Sequence, residues 1–303
     1  MSKTKSTLRR VRDAFLTMAE LRRIVIISGL SGSGKSVALK LLEDRGFYAV
    51  DNLPAILIPA LVDAVRGTPR TEAGIAISID VRSVETISAL PHILDSLRTK
   101  GFDCRVLFLN ASDEAITRRF SETRRPHPLS AQLPGEIARC IAEERRILEE
   151  VAGLAHCIDT SHIGASALRA WVNDWVSLDR VQTILTFQSF GFKHGIPIDA
   201  DFVFDVRVLP NPYYDPRLRP LGGTSAPVRA FLEADLNVSR MLDDIAGFLR
   251  RWLPGFSNDL RAAVTVAIGC TGGQHRSVYI AHELAQRFGS EQQVLVRHRD
   301  LVP

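Results

Sequence analysis

Cysteine is scarce and scattered. The chain has four in 303 residues (Cys104, Cys140, Cys157 and Cys270), with no C-x-x-C pair and no His/Cys set at zinc spacing. A disulfide scaffold and a zinc module are thereby excluded. Three of the four stand in or beside apolar stretches and read as small buried hydrophobes; Cys270 stands in a glycine loop. Long apolar runs are also missing. None approaches the roughly 20 residues of a membrane helix, and the first 23 residues, though basic, lack the uninterrupted apolar core of a secretory signal. A cytoplasmic protein with no membrane partner is expected. Internal repeats and low-complexity segments are absent, and so is the guanine signature Asn-Lys-x-Asp: Asn110-Ala111-Ser112-Asp113 keeps the acidic end without the Lys. Even the positive charge is local. Residues 1–23 hold seven Lys/Arg against Asp13 and Glu20, a net +5, so with +4 for the whole chain residues 24–303 carry −1. The excess belongs to a basic leader, expected to be a mobile, solvated tail or a point of contact with RNA or an acidic partner.

What remains is an ordinary folded composition, 46% hydrophobic and 24% charged, in a chain long enough for two domains. From residue 24 to about 177, β-rich runs (Ile24–Ser28, Phe47–Val50, Ile75–Asp80, Arg105–Asn110, Cys157–Asp159) alternate with helical stretches (Lys35–Arg45, Ile56–Arg66, Val84–Thr99, a long segment to Glu150, Ala165–Leu178). Runs such as Ile24-Val25-Ile26-Ile27 are apolar throughout, as strands covered on both faces should be. The alternation predicts an α/β fold, a doubly wound parallel sheet over 24–179. Past about residue 180 a second, smaller α/β domain is predicted over 180–303. It has strands at Thr183–Phe190, Asp201–Val208, Ala263–Gly269 and Gln293–Arg297, a Pro/Gly/Tyr-rich loop at Leu209–Gly223, and helices at about 227–233, 238–252 and Val278–Phe288.

The sharpest motif is Gly29-Leu30-Ser31-Gly32-Ser33-Gly34-Lys35-Ser36, a complete G-x-x-x-x-G-K-[ST] between a strand and a helix. Its glycines let backbone N–H groups turn toward phosphate oxygens, and the helix N-terminus adds partial positive charge. Lys35 can reach the β- and γ-phosphates, and Ser36 can ligate Mg²⁺. The expectation is a nucleoside triphosphate site of P-loop NTPase type. Such a site needs a strand-terminal acid, and two are available, Asp51 and Asp80. Asp80 is the first choice for the metal, with Asp51 orienting water or substrate; either could instead cap the next helix. Arg118, Arg119, Arg124 and Arg125, followed by Pro126-His127-Pro128, suit a lid that neutralises phosphoryl charge or, alternatively, a solvated helix face.

A second strand–loop–helix reads Gly269-Cys270-Thr271-Gly272-Gly273-Gln274-His275-Arg276-Ser277. It is an anion nest with His275 and Arg276 as side-chain donors for a phosphate or sugar phosphate. It also satisfies the C-x₅-R pattern of thiol phosphatases, though Gly269 stands where those enzymes carry His. A structural turn is the third reading.

Taken together these blocks resemble the RapZ-like family of P-loop nucleotide-binding proteins. The resemblance also rests on Val50-Asp51-Asn52-Leu53-Pro54, Asp80-Val81-Arg82, Thr123-Arg124-Arg125-Pro126-His127-Pro128-Leu129, Phe187–Gly195, Asp205-Val206-Arg207 and Leu209-Pro210-Asn211-Pro212, and so spans 24 to about 299. It implies ATP binding at Gly29–Ser36, GTP binding around Asp80, Val81, Arg82 and Ser83, slow ATPase and GTPase activity, and a regulatory role. In enterobacterial members it implies a C-terminal domain that senses an amino-sugar phosphate and presents a small RNA to an endonuclease, a protein partner. Those members carry a Lys/Arg-rich tail where this chain reads Arg297-His298-Arg299-Asp300-Leu301-Val302-Pro303. A small-molecule kinase is the other enzymatic reading, and a homo-oligomer is expected.

Overall fold

The computed structural model describes residues 23–65, 73–133, 135–178, 183–258 and 263–301. The basic leader lies outside these except for Arg23, which opens β1 (Arg23–Gly29) and donates from Nε to Asp103 Oδ2 at 3.1 Å. Compactness divides the chain into two units. One comprises residues up to Leu109 with Thr117–Ala152; the other comprises Asn110–Ile116 with everything from Gly153 onward.

The fold is mixed α/β, with one sheet of five strands and one of four. The first has the order β2-β3-β1-β4-β5, formed by β1, β2 (Tyr48–Val50), β3 (Ile75–Ser78), β4 (Asp103–Asn110) and β5 (His156–Asp159). β1 pairs in parallel with β3 (Ile24 opposite Ile75) and with β4 (Gly29 opposite Leu109), and β2 pairs in parallel with β3. Ile24 to Ile27 are fully buried, which is why this strand carries no alternation of polar residues. Helices α1 (Lys35–Asp44), α2 (Ile58–Val65), α3 (Val84–Ile87), α4 (Leu90–Thr99), α5 (Asp113–Thr123), α6 (Ile137–Ile147), α7 (Glu149–Gly153) and α8 (Ala165–Ser177) follow in chain order. The helix predicted over Val84–Thr99 is broken between α3 and α4, where Pro91 sits in the first turn of α4. Proline has no N–H to continue the preceding turn but suits a helix start.

The second sheet has the order β7-β8-β6-β9, all pairings parallel, from β6 (Ile184–Gly191), β7 (Phe202–Asp205), β8 (Ala263–Cys270) and β9 (Val294–His298). Its helices are α9 (Ala226–Glu233), α10 (Leu236–Asn258) and α11 (Arg276–Phe288). Their apolar stripes, among them Leu242, Leu249, Ile280, Leu284 and Phe288, cover Phe187, Val264 and Val266 in one core. β7 stops at Asp205, short of the predicted Val208, because the Asp205 carboxylate accepts the N–H and guanidinium of Arg207 and turns the chain.

Candidate functional site

β1 runs straight into the glycine loop, and the loop's first residue must be glycine. Gly29 has φ +139, and a Cβ there would lie 2.2 Å from the Leu109 carbonyl oxygen. That carbonyl accepts the Leu30 N–H at 3.1 Å, so the start of the loop is hydrogen-bonded to β4. Gly34, with φ 107, opens α1, and no side chain caps that helix. Its first N–H groups are thus turned toward the loop, the arrangement in which a helix start binds anions. Lys35 folds back across the loop, donating from Nζ to Gly29 O at 2.6 Å and Leu30 O at 3.2 Å. Burial pulls its ammonium below the ordinary lysine value, against the opposing attraction of Glu144, Asp80 and Asp51.

The two acids differ. Asp80 is buried, and both its oxygens are taken by Arg82: the backbone N–H reaches Oδ1 at 2.9 Å, while Nε and Nη2 reach Oδ2 at 2.9 and 2.6 Å. This hydrogen bonding raises the Arg82 guanidinium above its ordinary value. Asp51 is exposed at the end of β2, beside Asn52 with φ 53. Val81 is buried in the short turn after β3, and the Ser83 side chain lies outside the described residues. Ser36 is exposed in the first turn of α1. Among the described residues no group of three or more His, Cys, Asp or Glu is arranged to hold a metal. A Mg²⁺ shared with phosphate needs only one or two protein oxygens, which Ser36 and one strand-end carboxylate can supply.

Of the four arginines assigned to a lid, the structure brings Arg119 to the loop, with Nη1 donating to Gly32 O at 3.0 Å. Arg118, Arg124 and Arg125 are exposed. Sequence reasoning missed the group that holds the loop most firmly. Glu144 of α6, fully buried, accepts the Ser31 N–H at 2.9 Å and the Ser31 hydroxyl at 2.7 Å. His127 contacts the same carboxylate at 3.1 Å. Nothing in Glu143-Glu144-Arg145-Arg146 marks one glutamate over its neighbour.

The second glycine loop leaves β8 and enters α11, which begins two residues earlier than predicted, at Arg276. Gly273 has φ +73, and a Cβ there would lie 2.8 Å from both Asp300 Cβ and Gly191 N. The side-chain donors expected at this site are engaged except for Arg276 Nε, which is buried without a partner among the described residues. Arg276 Nη1 donates to Arg207 O at 2.7 Å and Leu209 O at 3.1 Å, with Nη2 to Thr271 Oγ1 at 3.3 Å. His275 donates to Arg219 O at 3.2 Å, and burial holds its imidazole below the ordinary value. Gln274 donates to the Asp300 carbonyl. Cys270 is buried with its sulfur 3.1 Å from Ser277 Oγ and accepting the Gly273 N–H at 3.2 Å. Thr271 is exposed at the rim and Gly272 half-buried. Arg276 and His275 therefore pin the loop between Arg207 and Arg219, while the unpartnered Arg276 Nε is buried beside them.

Among the described residues no helix is long and apolar enough to cross a membrane. Two family models match the chain: the RapZ-like N-terminal domain over residues 22–180 and the RapZ C-terminal domain over 183–302. A protein of Methylobacillus flagellatus named nucleotide-binding protein is 54% identical over 280 residues, covering 92% of this chain and 99% of its own. Proteins of the same name from Thiobacillus denitrificans and Chromobacterium violaceum are 53% and 51% identical, covering 92% of this chain and 99% and 98% of theirs. The solved structure of a sugar kinase from a Janibacter species aligns over 51% of this chain and 94% of its own, at 17% identity and a TM-score of 0.34, too slight a likeness to argue from. With both family models matched in order and full-length relatives at half identity or more, this chain belongs to the RapZ-like family.

Proposed function

We propose that the chain binds ATP with Mg²⁺ at Gly29–Ser36 and GTP around Asp80–Ser83, hydrolyses them slowly, and acts as a regulator whose glycine loop Gly269–Ser277 takes a phosphorylated small molecule. The observation that carries the first part is the loop itself: Gly34 opening an uncapped helix, with the Lys35 ammonium folded over the loop carbonyls. When phosphate arrives, Lys35 exchanges those carbonyls for phosphate oxygens, and the N–H groups opening α1 supply the remaining donors. Mg²⁺, when bound, neutralises phosphate charge, held by Ser36 with Asp80 or Asp51. Arg119, already on Gly32 O, is the lid arginine placed to follow the phosphates. The naming of the relatives as nucleotide-binding proteins supports this reading. Lys35→Ala should abolish measurable ATP binding and hydrolysis; unchanged ATP affinity in a folded variant overturns the assignment.

Arg119 at the loop also suits phosphoryl transfer to a small molecule. ATP-dependent, stoichiometric phosphorylation of one compound in a metabolite screen would favour that second reading over hydrolysis. For the other glycine loop, a sugar phosphate should raise the melting temperature of the protein, and Cys270→Ser should preserve the rise. The Cys270 sulfur is buried against Ser277 Oγ and the Gly273 N–H, and the terminal nitrogens of Arg276 are held by Arg207 O, Leu209 O and Thr271 Oγ1, so the thiol and the guanidinium fork are turned to the protein. Phosphoester turnover lost in Cys270→Ser would instead restore the phosphatase reading.

A further inference from the structure

The phosphate loop of this chain is fastened from outside the motif, at one residue. Ser31 gives both its donors to Glu144, the N–H to Oε2 at 2.9 Å and the hydroxyl to Oε1 at 2.7 Å. The carboxylate is fully buried, a costly position for an ion left without partners. Here a third donor completes it. The Leu129 N–H donates to His127 Nδ1 at 3.2 Å, which leaves the ring proton on Nε2, facing Glu144 Oε2 at 3.1 Å. His127 is itself buried and packed against Phe120 of α5, with ring centroids 5.2 Å apart. A chain of contacts thus runs from the arginine-bearing helix α5 and the Pro126–Pro128 bend, through His127 and Glu144, to the third residue of the loop. Because the Ser31 N–H is spent on protein, it is not offered to phosphate, and the cradle falls to the amides that open α1.

We infer that Glu144, oriented by His127, is the positioning residue of the phosphate loop: it fixes Ser31 so that the later amides and Lys35 meet the nucleotide's phosphates preorganised, and it ties that geometry to the arginine-bearing segment. The inference rests on the nucleotide reading of the loop. It adds a residue 113 positions from Ser31 that touches no phosphate and acts through the backbone that does.

The test is Glu144→Gln in the full chain, with affinity for Mg·ATP and for tripolyphosphate measured beside the melting temperature. Glutamine keeps the shape but cannot accept from three donors. Affinity for both ligands should fall together, by about ten-fold or more, as expected on losing charge-assisted hydrogen bonds. Glu143→Gln, which removes the same charge from an ion pair with Arg146 at the surface, should leave affinity unchanged. Ser31→Ala should weaken binding less than Glu144→Gln, and the two should be non-additive in the double variant. Should Glu144→Gln fail to fold, His127→Ala and His127→Gln replace it, the second expected to recover part of what the first loses because its amide can donate to Glu144. A folded Glu144→Gln, or His127→Ala, with wild-type affinity overturns the inference, as does strict additivity with Ser31→Ala. Wild-type protein that binds neither Mg·ATP nor tripolyphosphate sinks the nucleotide reading first and this inference with it.

Discussion

At the scale of single residues, glycine and lysine in the first loop do separate work. Gly29 is fixed by space: with φ +139 and the Leu109 carbonyl where a Cβ would be, any side chain must force β1 and β4 apart. Gly29→Ala should therefore lower the melting temperature and abolish nucleotide binding together, whereas Lys35→Ala should spare folding. A Gly29→Ala protein with wild-type stability would contradict the close crossing. Lys35 adds a pH signature. Burial places its folded pKa below the usual 10.5, and only the charged form attracts phosphate, so affinity for Mg·ATP should fall as pH rises, beginning below pH 10.5. An affinity flat up to pH 10.5 counts against a buried ammonium at the phosphates. Lys35 and Gly29 were legible in the sequence because a local spacing encodes them. Glu144 and His127 were not: their meaning comes from a contact made across 113 residues, and charge and burial pull opposite ways on a lone glutamate in a helix.

At the scale of elements, strand ends carry a repeated device. Asp80-Val81-Arg82 and Asp205-Val206-Arg207 each fold so that the arginine N–H meets Asp Oδ1 at 2.9 Å while the guanidinium grips the same carboxylate; Asp215-Pro216-Arg217 does likewise in the following loop. The first two repeats stop their strands, which is why β3 and β7 are shorter than the apolar runs predict. The clamp also bears on the metal. Both Asp80 oxygens are occupied by Arg82, so a cation there must displace a guanidinium, whereas Asp51 stands exposed at the end of β2; both carboxylates act electrostatically on Lys35, Asp80 the more strongly. Asp51→Asn should accordingly raise the Mg²⁺ concentration needed for hydrolysis more than Asp80→Asn does. If Asp80→Asn has the larger effect and Arg82→Ala lowers the requirement, Asp80 is the metal carboxylate and the clamp opens in use.

At the scale of the whole chain, both sheets are parallel, and each sends a strand into a glycine loop and a helix; that alternation is readable because period and punctuation are local. The polar interior of the second unit is not. His156 on β5 and Arg297 on β9 are buried, with Arg297 Nη2 donating to His156 Nε2 at 2.6 Å and the guanidinium 5.0 Å from the centroid of Trp171. Asp199 accepts the Asp159 N–H at 3.0 Å close by, its Oδ1 buried without a partner. No spacing announces this cluster, since His156, Asp199 and Arg297 meet only in the fold.

The cluster makes opposed demands on pH, and their signs can be worked out. Burial, with Asp159 adding repulsion, lifts the folded Asp199 carboxyl from 3.8 to about 6, so the folded state binds the extra proton and Asp199 favours folding increasingly as pH falls from about 6 toward 3.8. Burial and the Arg297 charge hold folded His156 well below 6.5, so the unfolded state binds that proton and His156 opposes folding once pH falls below 6.5. In the wild type the two slopes offset over the same acidic window. Asp199→Asn keeps an acceptor for the Asp159 N–H but removes the carboxyl, leaving the His156 slope uncompensated. The variant should melt at or above the wild-type temperature at pH 7 and fall progressively behind it as pH drops through 6 toward 4, in paired melting curves. Parallel profiles over that range would mean that Asp199 is ionised at its ordinary value and that water, not protein, satisfies its orphaned oxygen.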